Sequence, residues 1–143
     1  MKKEEPNINV FNKQRVRPVD RSDLLAFAAS LGRRLRIQGG FSVVLVSDRS
    51  MRRYNRDYAG DDYPTDVLSF PCEESIPGAE DNYLGDVLIS VETADRQKKG
   101  TLNSELKALT LHGILHLIGY DHAVDQGQMK ALEGDLRREF SLR

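Results

Sequence analysis

The sequence predicts an α/β fold of the α+β kind: a small mixed four-stranded sheet with flanking helices, one of them a central metal-binding helix. Three observations predict it. β-Branched, strand-like stretches interleave with stretches of helical period in the order strand, helix, strand, helix, strand, strand, helices. The 143 residues can bury one core but are cramped for two, so residues 1–143 read as a single domain. All three histidines fall within the eleven residues 112–122, on a segment whose other positions are nearly all apolar.

Taken in order, Asn7 to Phe11 alternates polar and apolar residues as a half-buried strand does. Pro18, Asp20 and Asp23 mark a helix N-terminus, where acidic side chains meet free N–H groups. That helix would bury Leu24, Leu25, Phe27, Ala28, Leu31 and Leu35, expose Arg33, Arg34 and Arg36, and end at Gly39–Gly40. Phe41 to Val46 is apolar on both faces and suits a central strand. Ser47 and Asp48 cap a short helix to about Tyr58, with Met51, Tyr54 and Tyr58 inward and Arg49, Arg52, Arg53 and Arg56 outward.

A loop over residues 60–64 leads to the strand Thr65 to Phe70, closed by Pro71; a proline there is tolerated only at a sheet edge. Residues 72–82 form an acidic loop around Pro77–Gly78, and Tyr83 to Val91 is a strand again. Glu92 to Lys99 reads as helix until Gly100. Asn103 or Ser104 would cap the histidine helix, whose Leu106, Leu109, Ile114 and Leu117 hold it to the core. Asp125 caps a last helix with the stripe Met129, Leu132, Leu136 and Phe140.

Composition excludes several classes. With 39% hydrophobic and 30% charged residues the chain resembles soluble globular proteins, and no run nears the ~18 apolar residues of a membrane span. The charged start shows no signal peptide, so a cytoplasmic location is expected. Cys72 is the only cysteine, which excludes an intrachain disulfide and a thiolate-rich zinc site; beside Pro71, with no histidine near in sequence, it reads as a bystander. Lys13 to Arg56 carries a net +8 and Asp57 to Asp95 a net −11. Such a split fits either a polyanion partner or solvated helix faces.

The histidines carry the chemistry. On a helix, His112 and His116 stand one above the other and can aim both imidazoles at one point. Gly119 can end the helix in the left-handed conformation, and Tyr120–Asp121 would return the chain so that His122 supplies a third nitrogen. Three neutral imidazoles leave one position of a tetrahedral Zn²⁺ open, the mark of a catalytic rather than a structural ion. The spacing His-x-x-x-His-x-x-Gly-x-x-His is that of metzincin proteases, but their general base follows the first histidine, and here that residue is Gly113.

The stretch 112–122, the strand Pro64-Thr65-Asp66-Val67-Leu68-Ser69-Phe70-Pro71 and Leu84-Gly85-Asp86-Val87, with Asn55, Tyr58 and Glu105, resemble the YbeY-type rRNA maturation factors, metal-dependent single-strand endoribonucleases of bacteria. The resemblance implies one Zn²⁺ on His112, His116 and His122, with Asp66 and Ser69 in the signature strand near it. It further implies a role in 16S rRNA 3′-end maturation and ribosome quality control, with rRNA and small-subunit proteins as partners and no membrane or nucleotide cofactor. In that family an arginine follows the tyrosine matching Tyr58, whereas this chain has Ala59; Arg56 or Arg53 is the candidate replacement for the cation. Other expectations compatible with the residues are an RNA-binding factor with a structural zinc, and a metalloprotease, which Gly113 disfavours.

Overall fold

A computed structural model describes residues 6–72, 83–119 and 127–142. The elements are β1 (Asn7–Asn12), α1 (Arg21–Arg34), β2 (Gly40–Val46), α2 (Asp48–Ala59), β3 (Val67–Pro71), β4 (Gly85–Ser90), α3 (Val91–Gln97), α4 (Leu102–Leu117) and α5 (Gln128–Glu139). The predicted mixed four-stranded sheet is present in the order β1-β2-β4-β3. β1, β2 and β4 run parallel, with Val10 opposite Val43 and Val43 opposite Val87, while β3 pairs antiparallel to β4 with Ser69 opposite Val87. β3 is an edge strand, as Pro71 requires.

Alternation along the strands sorts the two faces of the sheet. Val10, Phe41, Val43, Leu45, Val87 and Ile89 point to one side, where they form a continuous core with Leu24, Phe27 and Leu31 of α1 and Leu111, Ile114 and Leu115 of α4. Leu88 and Val46 point to the other side, where Met51 of α2 covers them, joined by the partly buried Val44, Leu68 and Phe70. Thus α1 and α4 lie on one face and α2 on the other. Among the described residues, no helix is long and apolar enough to cross a membrane.

The helix starts follow capping chemistry. Asp20 accepts from the Asp23 N–H and Ser47 from the Ser50 N–H, as their sequence positions predict. For α4 the cap is Thr101, whose hydroxyl accepts from the Ser104 N–H, and not Asn103 or Ser104. Asn103 instead donates to Asp23, tying α4 to α1. Two other expectations need correction. α1 ends at Arg34, several residues before Gly39–Gly40, because Arg36 itself takes a left-handed φ of 56°. On α2 the inward partner of Met51 is the buried Asn55, which donates to the Tyr63 carbonyl, while Tyr54 and Tyr58 are 40% and 71% exposed. α5 starts after Gly127; Asp125, its expected cap, and the acidic loop residues 73–82 lie outside the described residues.

A polar clasp locks α2 to α3. The Asp48 carboxylate accepts from Ser90 Oγ at 2.5 Å, Thr93 Oγ1 at 2.6 Å and Arg96 at 2.8 Å, and the Asp48 N–H donates to Glu92 at 2.9 Å. Burial opposes ionisation of Asp48, but the hydrogen bonds from Ser90, Thr93 and Arg96 outweigh it and hold its carboxyl below the usual range.

Candidate metal centre

α4 is built to hold side chains still. Leu106, Leu111, Ile114 and Leu115 are fully buried, and the helix packs on β3, β4, α1, α3 and α5. Gly113 is what lets α4 sit so close to the sheet. A Cβ there would come within 2.5 Å of Val87 Cγ1 and 3.2 Å of Ser69 Oγ. The opposite side of the contact is fastened by Ser69 itself, whose hydroxyl donates to the Gly113 carbonyl at 3.0 Å.

One turn apart on this helix, His112 Nε2 and His116 Nε2 lie 3.1 Å from each other, with ring planes inclined at 70°. Two nitrogens bound to one tetrahedral zinc at bond lengths of about 2.0–2.1 Å are separated by about 3.3 Å. The spacing therefore fits two ligands of a single ion. Behind His112, Nδ1 faces both carboxylate oxygens of Glu133 at 3.1 and 3.2 Å. A carboxylate on the far nitrogen of a ligating histidine is the usual outer support of such sites. The hydrogen bond to Glu133 raises the His112 pKa, burial opposes the rise, and the charges of Glu133 and Asp66 add to it.

His122, the third expected ligand, lies outside the described residues, and among those described no group of three or more potential ligands gathers. α4 stops at Leu117, and Gly119 adopts the left-handed conformation expected of it, with a φ of +104°.

The remaining sequence-predicted residues divide. Asp66 immediately precedes β3, close enough for its charge to act on His112, and accepts from Gln97 Nε2 at 3.0 Å. The same Gln97 amide donates to Glu105 at 2.8 Å, so one side chain joins α3, α4 and the start of β3. Ser69 lies beneath α4, its hydroxyl engaged with helix backbone. Arg56 is not brought to this group. It sits on α2, across the sheet from α4, and its exposed guanidinium pairs with Asp57 at 3.3 Å. Arg53 shares that helix, and Ala59, where the family has its arginine, is exposed at the end of it. A groove of about 470 Å³ on the α2 side is lined by Phe11, Lys13, Tyr54, Tyr58, Phe70 and Asp86. None of the histidines lines it.

Sequence reasoning passed over Glu133. It was visible as a carboxylate inside the apolar stripe Met129, Leu132, Leu136 of the last helix, a place where a charge needs a partner.

The profile of the family described as endoribonuclease YbeY matches residues 9–141, nearly the whole chain. The chain belongs to the endoribonuclease YbeY family. An endoribonuclease YbeY of Helicobacter pylori strain P12 is 47% identical over 103 residues, covering 70% of this chain and 71% of its own. One from Anaeromyxobacter sp. strain Fw109-5 is 42% identical over 127 residues, covering 85% of this chain and 64% of its own. The solution structure of a Thermotoga maritima protein is similar at a TM-score of 0.55 and 26% identity, over 94% of this chain and 91% of that one. These matches agree with the α/β class read from the sequence.

Proposed function

We propose that the chain is a zinc-dependent endoribonuclease cutting single-stranded RNA, and that it works in the cytoplasm on 16S rRNA 3′-end maturation and ribosome quality control, in contact with small-subunit proteins. The observation that carries the catalytic reading is the His112–His116 pair, 3.1 Å apart on a buried helix and backed by Glu133, in a chain of the endoribonuclease YbeY family. The wider role rests on the resemblance of the two signature stretches.

The ion would be held by His112 and His116, with His122 as the third ligand, and when bound it supplies a Lewis acid and lowers the pKa of water. The chain's own residues do the rest. Ser69 pins the helix backbone at Gly113 and so fixes where the imidazoles point. Asp66, held by Gln97, sets a negative charge beside the pair that favours a cation there. The basic residues between Lys13 and Arg56 are the candidates for contacting RNA phosphates. With Arg56 across the sheet, its place in this scheme is binding RNA rather than steadying charge at the scissile phosphate.

The structure weighs against the two other readings. A glutamate at position 113 would be driven into β4, so a metzincin base has no room there. The buried side of α4 is apolar apart from Thr110, whose hydroxyl donates to the Leu106 carbonyl of the same helix, and a core closed in this way argues against an ion needed to hold the fold. The test is cleavage of a defined single-stranded RNA by nuclease-free wild type and His116→Ala. Wild type should cut and the variant, still folded, should not. Equal rates would refute the proposal. Products ending in a 2′,3′-cyclic phosphate would assign attack by the ribose 2′-OH, and their absence would assign hydrolysis by water.

A further inference from the structure

We infer that Glu133 is a positioning residue of the metal centre: its carboxylate holds the Nδ1–H of His112, and thereby turns the Nε2 lone pair of that ring toward His116 and the ion. This rests on the zinc reading proposed above. α5 docks through Met129 and Leu136, both fully buried, and Glu133 lies one turn from each on the same side. An inward carboxylate on such a helix costs free energy unless it is paired. Glu133 is paired: it is 18% exposed, and both its oxygens reach His112 Nδ1.

A neutral imidazole has one N–H and one lone pair, and whichever nitrogen donates leaves the other to ligate. In water the Nε2–H tautomer of histidine is favoured, which would place a proton where the ligand lone pair is needed. An acceptor on Nδ1 reverses that preference and also stops the ring from rotating. Glu133 is not placed to ligate the ion itself, since it faces Nδ1 while His116 faces Nε2, on the other side of the ring. The last helix thus reaches the site through the pairing of Glu133 with His112, 21 residues apart in sequence.

The full chain is compared with Glu133→Ala, Glu133→Leu and Glu133→Gln. In metal-free protein, above the titration range of His112, long-range ¹H–¹⁵N spectra of the histidine rings report the tautomer. Wild type should carry the proton on Nδ1, and Glu133→Ala should move it toward Nε2. Zinc affinity, measured by competition with a chelating indicator, should fall about 10- to 100-fold in Glu133→Ala. Glu133→Gln, whose amide oxygen still accepts from Nδ1–H, should keep the tautomer and lose less affinity. If Glu133→Ala fails to fold, Glu133→Leu removes the carboxylate while filling its space, and the same two losses are expected. A folded variant without the carboxylate that retains both wild-type tautomer and wild-type affinity overturns the inference. If wild type takes up no zinc, the metal reading falls instead, and the tautomer comparison still decides whether Glu133 orients the ring.

Discussion

One face of the sheet is sealed by α1 and α4 over a core that runs from Val10 to Leu136, while the other is covered in part by α2, through Val46, Met51 and Leu88. The histidine pair belongs to the first face; four arginines and the exposed Tyr54 and Tyr58 belong to the second. The two faces suit different kinds of chemistry. Two imidazole nitrogens converging at 3.1 Å need a helix whose register cannot slip, and a dense core supplies that. Contacts to a flexible polyanion need charge and reach, which an exposed helix provides at little cost to stability.

Paired truncations test the contrast most severely. Leu115→Ala on α4 should destabilise the fold toward the upper end of about 2–5 kcal/mol, because its neighbours are fixed on every side. Met51→Ala, in the small cluster under α2, should fall nearer the lower end because that helix can settle inward. Denaturant midpoints measure both, and equal losses would show that the two faces are packed alike.

A smaller effect belongs to the clasp between α2 and α3. Removing the charge with Asp48→Asn should cost about 1.5–3 kcal/mol at neutral pH, the range for hydrogen bonds to a charged group. The fold holds the Asp48 carboxyl below its ordinary range, so its contribution is complete above the unfolded-state pKa of about 3.9 and disappears as pH falls through the lower folded value. Stability curves of wild type and variant against pH should therefore converge only in acid. A constant gap across that window would show that the carboxylate is not the source.

Much of the fold was legible because each element announced itself by a local rule. Pro71 marked β3 as an edge, Ser47 and Asp20 marked helix starts, and the doubly apolar 41–46 run marked an interior strand. What escaped was decided by tertiary contact. Tyr54 and Tyr58 fit an apolar stripe, yet Asn55 takes the inward place because the Tyr63 carbonyl needs a donor. Likewise the histidine spacing was readable along one helix, but the pairing of Glu133 with His112 exists only once α5 folds back on α4.

The smallest stability effects are expected on the arginine face. Arg49→Ala and Arg53→Ala should each change unfolding free energy by no more than about 0.5 kcal/mol. Each should still weaken binding of single-stranded RNA and flatten its salt dependence by about 0.7 in log–log slope. Loss of binding without a change in slope would mean the side chain does not meet a phosphate.

Whether α4 presents a metal centre is read out by native mass spectrometry of zinc-loaded protein. Wild type should carry one zinc ion per chain, and folded His112→Ala and His116→Ala should lose it. Uptake by either variant equal to that of wild type would show that the histidine pair does not hold the ion.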